Sequence, residues 1–107
     1  MMDERTFNAV TDEAFKRIES ALDSQDPDDV ELDTGGGYLT LSFRDGSKCV
    51  ISTQRPVREI WMAADNTAWH FSHEDAGHGW VARKTGEELY ATLQGLCARK
   101  LGRAVHI

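Results

Sequence analysis

Carboxylates crowd one short stretch of this 107-residue chain. Residues 19–33 hold Glu19, Asp23, Asp26, Asp28, Asp29, Glu31 and Asp33, and no Lys or Arg occurs from residue 18 to residue 43. Like charges packed this closely repel one another, and the repulsion is relieved by solvation or by a cation. Carboxylate oxygens are hard donors suited to hard or borderline metal ions, and a field of this density also attracts a basic protein surface. A solvated face without a partner is the plainer alternative. The acids are not a polar tail, however. An amphipathic helical pattern leads into them, and Val30 and Leu32 alternate with them as in a half-buried strand. They are displayed on a scaffold, as a cation-binding or basic-partner surface requires.

The other candidate groups are less ordered. His70, His73 and His78 with Glu74 and Asp75 invite a metal reading, but their spacing fits neither HExxH nor a zinc-ligand pattern. His70 falls in a strand, whereas the others ride a glycine-containing loop. Gly35-Gly36-Gly37 precedes a strand and lacks the Lys of a phosphate-binding loop, so it reads as a hairpin turn. Cys49 and Cys97 lie far apart in apolar segments and read as small buried hydrophobes in a reducing compartment. Trp61 alternates with Ile60 and Met62 and stands on the opposite face of its strand. Its indole serves equally as packing for neighbouring side chains or as an anchor for a protein partner.

The elements that must position these groups follow from periodicity. Residues 3–24 form a helix whose apolar face is Phe7, Val10, Ala14, Ile18 and Ala21, flanked by Phe15 and Leu22. At about 100° per residue, Asp12, Glu19 and Asp23 share a stripe away from that face, interrupted by Lys16. Asp23 and Asp26 lie at the negative end of the helix dipole, a local penalty that hints at function. Pro27 stops the helix. Strands follow at 30–34, 38–43, 48–53, 59–64, 68–71 and 80–83, with turns at the glycine triplet, Asp45-Gly46 and Asp65-Asn66-Thr67. Thr85-Gly86-Glu87-Glu88 reads as a capping box opening a second helix, with Leu89, Leu93, Leu96, Cys97 and Leu101 as its buried stripe and Gly102 as its stop. Residues 104–107 form a short extended tail. Hairpin connections make an antiparallel sheet, and two one-faced helices must cover one side of it. The expected fold class is α+β: a two-layer α/β sandwich with one sheet face open.

At 107 residues and 40% apolar content, residues 1–107 read as one domain with one core. The net charge of −6 is uneven, with eleven acids and three bases in residues 1–33 against seven acids and nine bases afterwards. A nucleic-acid partner is disfavoured by that acidic third. The Met-Met-Asp-Glu-Arg start has no signal-peptide pattern, and no run reaches membrane-span length. No membrane association and a cytoplasmic location are expected.

Three blocks carry a resemblance to a known family: the acidic helix end and first strand over residues 19–33; Gly36-Gly37-Tyr38-Leu39-Thr40-Leu41-Ser42-Phe43 with Asp45-Gly46-Ser47; and Gln54-Arg55-Pro56-Val57-Arg58-Glu59-Ile60-Trp61-Met62-Ala63. Trp69-His70-Phe71, Trp80 and Gly86-Glu87-Glu88-Leu89 follow in order. Over nearly its whole length the chain resembles the frataxin family, in particular its bacterial branch. The resemblance implies the sandwich fold, weak and exchangeable binding of ferrous and ferric iron (Fe2+/Fe3+), and a role in iron-sulfur cluster assembly. It places iron on a ridge of Glu19, Asp23, Asp26, Asp28, Asp29, Glu31 and Asp33. It implies contact with the cysteine desulfurase and the iron-sulfur scaffold protein through Asp12, Glu19, Asp23, Gln54 and Trp61. A monomer that forms oligomers with iron is expected. Ser20 and Ser24 stand where bacterial relatives often have second acids, Asn8 where some have His, and Lys16 interrupts the stripe, so fewer or weaker metal sites are expected.

The leading function is thus an iron-binding regulator or supplier for cluster assembly. The rivals are a ferroxidase-type enzyme and an acidic adaptor or desulfurase inhibitor that works without metal. The chain lacks the Glu-x-x-His pairs of di-iron bundles, and we expect no enzyme beyond weak ferroxidation.

Overall fold

The first helix, α1 (Glu4–Leu22), begins where the Asp3 carboxylate accepts the Thr6 amide at 2.8 Å. Its buried stripe is Phe7, Thr11, Ala14, Ile18 and Leu22, whereas Val10 and Ala21 are only half-buried. This computed structural model describes residues 2–74 and 79–107. Six strands follow: β1 (Val30–Gly35), β2 (Tyr38–Phe43), β3 (Lys48–Gln54), β4 (Glu59–Ala64), β5 (Thr67–His73) and β6 (Trp80–Ala82). They form one sheet in chain order, each antiparallel to the next. Helix α2 (Leu89–Leu101) closes the order, so the expected two helices over six antiparallel strands are present.

Turn chemistry explains the meander. Gly36 and Gly37 alone link the paired residues Gly35 and Tyr38, and Gly37 has φ +86°, a left-handed value natural to glycine. A Cβ at Gly35 would overlap the Tyr38 ring. Asp65 and Asn66 both have positive φ, as a two-residue hairpin between Ala64 and Thr67 demands.

Strand alternation sends Leu39, Leu41, Phe43, Cys49, Ile51, Ile60, Met62 and Phe71 inward against the stripes of α1 and α2. Both cysteines are fully buried free thiols, and burial pushes Cys49 up to about 12 and Cys97 to about 11. Two charge contacts tie the helix layer to the sheet turns. Lys100 of α2 reaches Asp65 at 2.8 Å and Asp45 at 3.3 Å. The tail also docks on the body: Val105 is buried and the Ile107 amide donates to Gln94 at 2.8 Å.

One expected boundary moves. Thr85 is not the cap of α2; Glu88 is, its carboxylate accepting the Ala91 amide at 3.0 Å. The residues before it stay extended because they pair back on β6, with the Ala82 amide donating to Glu87 at 2.8 Å and Val81 bridging Glu88. The Thr85 hydroxyl instead accepts the Glu87 amide within the turn, at 3.2 Å. Among the described residues, no helix is long and apolar enough to cross a membrane.

Candidate functional site

The acidic residues of α1 end on a helix terminus with no basic residue in its last turn. The Asp23 amide closes the helix on the Glu19 carbonyl at 2.9 Å, and the chain then turns around Asp26. Asp26 organises that turn: its carboxylate accepts the Asp28 amide at 2.9 Å, and its carbonyl accepts the amides of Asp29 and Val30 at 2.9 and 3.1 Å. The turn delivers the chain into β1, the sheet edge next to the helix end. There Val30 and Leu32 face inward, leaving Glu31 and Asp33 exposed on the open face.

The expected ridge residues fall into distinct circumstances. Glu19, Asp23 and Glu31 line one groove of about 460 Å³ between α1 and β1. Asp12 and Glu19 line a second groove of about 460 Å³ with Lys16, Thr34 and Arg55, so two cations stand at that end of the ridge. Asp26 and Asp28 stand exposed on the connecting turn, and Asp33 is exposed further along β1. Asp29 differs from all of them. Its carboxylate is clamped between Arg44 at 3.2 Å and Arg103 at 3.0 Å, with its side chain only 18% exposed. Arg103 is itself fixed by two hydrogen bonds to Gln25, at 2.8 and 3.1 Å. The run of acids thus lacks local cations in sequence but not in space. Arg44 comes from the turn after β2 and Arg103 from beyond α2, and no local spacing announces either. The remaining ridge acids make no ion pair among the described residues. Nor do any three His, Cys, Asp or Glu side chains among those residues converge as a ready-made cage. What the ridge offers is a line of separate one- and two-carboxylate contacts open to water.

The open sheet face carries the second candidate surface. Trp61 lies there, half-buried, stacked on His70 with ring centroids 4.1 Å apart and planes 11° from parallel. Its indole N–H donates to Glu59 at 2.9 Å, and the other Glu59 oxygen accepts the Ser72 hydroxyl at 3.2 Å. Trp61 therefore packs against its same-face neighbours. Gln54, opposite Glu59 in the register, donates to Ser52 at 3.1 Å. The Trp61–His70 pairing follows from counting outward from the Asp65-Asn66 turn, a signal present in the sequence.

His70 and His73 do not come together. His70 faces Trp61 on the open face, while His73 ends β5 on the helix side, edge-on to Trp80 at 5.0 Å. An odd separation along a strand puts the two on opposite faces. Asp75 and His78 lie outside the described residues.

Residues 1–103 match the family model of the frataxin-like domain. Over 96 residues the chain is 38% identical to the iron-sulfur cluster assembly protein CyaY of Vibrio cholerae, covering 90% of this chain and 89% of that protein. Frataxin from Psychromonas ingrahamii has a TM-score of 0.88 at 24% identity, covering 98% of this chain and 97% of that one. Trimeric frataxin from the yeast Saccharomyces cerevisiae, complexed with ferrous iron, has a TM-score of 0.71 at 20% identity, covering 96% and 89%. The two structures show the fold; the family match, together with the Vibrio relative, shows that this chain belongs to the frataxin-like family.

Proposed function

We propose that this protein binds ferrous and ferric iron weakly on its exposed carboxylates and uses the same ridge to dock on a basic surface of the cysteine desulfurase, regulating or supplying iron for cluster assembly in the cytoplasm. The observation that carries this reading is the line of Asp12, Glu19, Asp23, Asp26, Asp28, Glu31 and Asp33, which make no ion pair among the described residues. The Vibrio relative is named for iron-sulfur cluster assembly, and the yeast frataxin structure is a complex with ferrous iron.

Iron is cargo here. Each ion takes one or two carboxylates and completes its shell with water, so it exchanges readily. Glu19 and Asp23, four residues apart at the end of α1 and lining one groove, are the first pair to fill. Asp29 is last, because two guanidiniums already occupy it. Lys16 and Arg55 weaken the Asp12 end. Iron and a cationic protein surface then compete for one field, which makes docking respond to iron. The protein performs no turnover of its own in this reading. Trp61 and Gln54 on the open face meet the scaffold protein.

Sulfide production by the purified desulfurase, measured with and without this protein across ferrous iron concentrations, tests the proposal. The expected result is a rate change that grows with iron and shrinks in Asp23→Asn/Glu31→Gln. A rate change indifferent to iron would reassign the protein as a metal-independent adaptor.

A further inference from the structure

The sheet is incomplete at one edge. β5 runs from Thr67 to His73, but β6 pairs only with Phe71, Ser72 and His73. The reason is local: after Ala82 the chain turns back, with the amides of Thr85 and Gly86 both donating to the Ala82 carbonyl at 3.2 and 2.7 Å and Gly86 at φ +81°. Residues 67–70 are left with β4 on one side and no strand on the other among the described residues. A trough of about 430 Å³ occupies the gap, with Ala68, Trp69 and His70 on one wall and Arg83, Lys84 and Thr85 on the other.

Exposed edges are normally protected by Lys, Pro, a bulge or a covering segment. Residues 67–70 read Thr-Ala-Trp-His and carry no such charge or proline. The wall of the trough facing the free edge is cationic. Arg83 and Lys84 are exposed and make no ion pair among the described residues. A second trough of about 330 Å³ continues past Arg83 to Arg58. Two carboxylates stand nearby and are held by neutral donors: Glu59 accepts from Trp61 and Ser72, and Glu87 accepts the Trp69 indole at 3.1 Å.

We propose that the free edge of β5 at residues 67–70 is a docking site for an extended, acidic segment of a partner protein, which adds to the sheet as a strand along the line that β6 abandons at Ala82. Backbone pairing with residues 67–70 supplies the affinity, and Arg83 and Lys84 select acidic side chains. This surface lies apart from the acidic ridge and has the opposite charge preference.

The probe is the capped peptide Ac-Glu-Val-Asp-Val-Glu-Val-NH2, titrated into the isotope-labelled full chain at low salt. Expected are shift changes and slowed amide exchange at residues 67–70. N-methylating one set of alternate peptide residues should abolish binding while the other set leaves it intact, because only alternate amides face the edge. Arg83→Glu/Lys84→Glu should weaken binding by about tenfold without lowering the melting temperature. Four results would overturn the proposal: shifts confined to the face around Trp61, indifference to both N-methyl sets, no perturbation at millimolar peptide, or unchanged affinity in the charge-reversed variant. Concentration-dependent sedimentation of the protein alone, abolished by Glu31→Lys/Asp33→Lys, would also overturn it by giving the edge to β1 of a second copy.

Discussion

Asp23 closes α1 with no basic residue in the last helical turn, whereas Asp29 is held between Arg44 and Arg103. Neutralising them should therefore act in opposite directions. Asp23→Asn removes a charge that opposes the helix dipole and its acidic neighbours, so it should raise the melting temperature at low salt, with the gain narrowing as salt is added. Asp29→Asn loses two ion pairs and should lower stability by about 1 kcal/mol. Thermal unfolding of both variants at two salt concentrations checks the contrast. A similar contrast separates Ile60 from Trp61. Ile60 is fully buried under the helices, and Ile60→Ala should cost about 2–5 kcal/mol. Trp61→Ala gives up the stack on His70 but opens no interior cavity, so about 1 kcal/mol is expected from chemical denaturation. If the indole also anchors the scaffold protein, calorimetric titration should show binding weakened by more than about 1 kcal/mol.

At the level of elements, alternation and turn residues made most of the sandwich legible before any coordinates. Ile60 and Met62 point inward as the period of two requires, and the turns fall at the glycine triplet and after Ala64 as expected, each one residue shorter because Gly35 and Thr67 pair as strand residues, with positive φ at Gly37, Asp65 and Asn66. The misplaced start of α2 has a tertiary cause: Thr85 and Glu88 have capping-box spacing, but backbone pairing of Glu87 and Glu88 with β6 delays the helix. The Asp29 clamp was illegible for the same kind of reason, since Arg103 lies on the far side of α2 in sequence. The β2–β3 turn carries a pH signature. The Ser47 hydroxyl and amide, helped by Lys100, hold Asp45 down at about 2, against its ordinary 3.8. A folded value below the unfolded one means that this contribution is complete above 3.8 and fades as pH falls toward 2. Asp45→Ala should therefore lower the melting temperature at neutral pH and flatten the acid limb across that interval. An acid limb unchanged in the variant would show that other carboxylates set it.

For the whole molecule, an acidic first third is joined to a mildly basic remainder, and apart from Asp29 the ridge carboxylates make no ion pair among the described residues. The proposed docking on the desulfurase should be steered by that field, its rate falling by about tenfold as salt rises from low to physiological concentrations. Stopped-flow mixing at several salt concentrations measures this, and a salt-independent rate would remove the ridge from the encounter. The buried thiols have a different consequence. Cys49 belongs to β3 and Cys97 to α2, on the two layers of the sandwich, and both are sealed and held as neutral thiols at physiological pH. A thiol reagent can reach either one only when the layers part, so labelling becomes a clock for opening events. Both cysteines should react at one common rate that tracks global unfolding. Faster labelling of Cys97 alone would reveal α2 lifting away while the sheet stays intact.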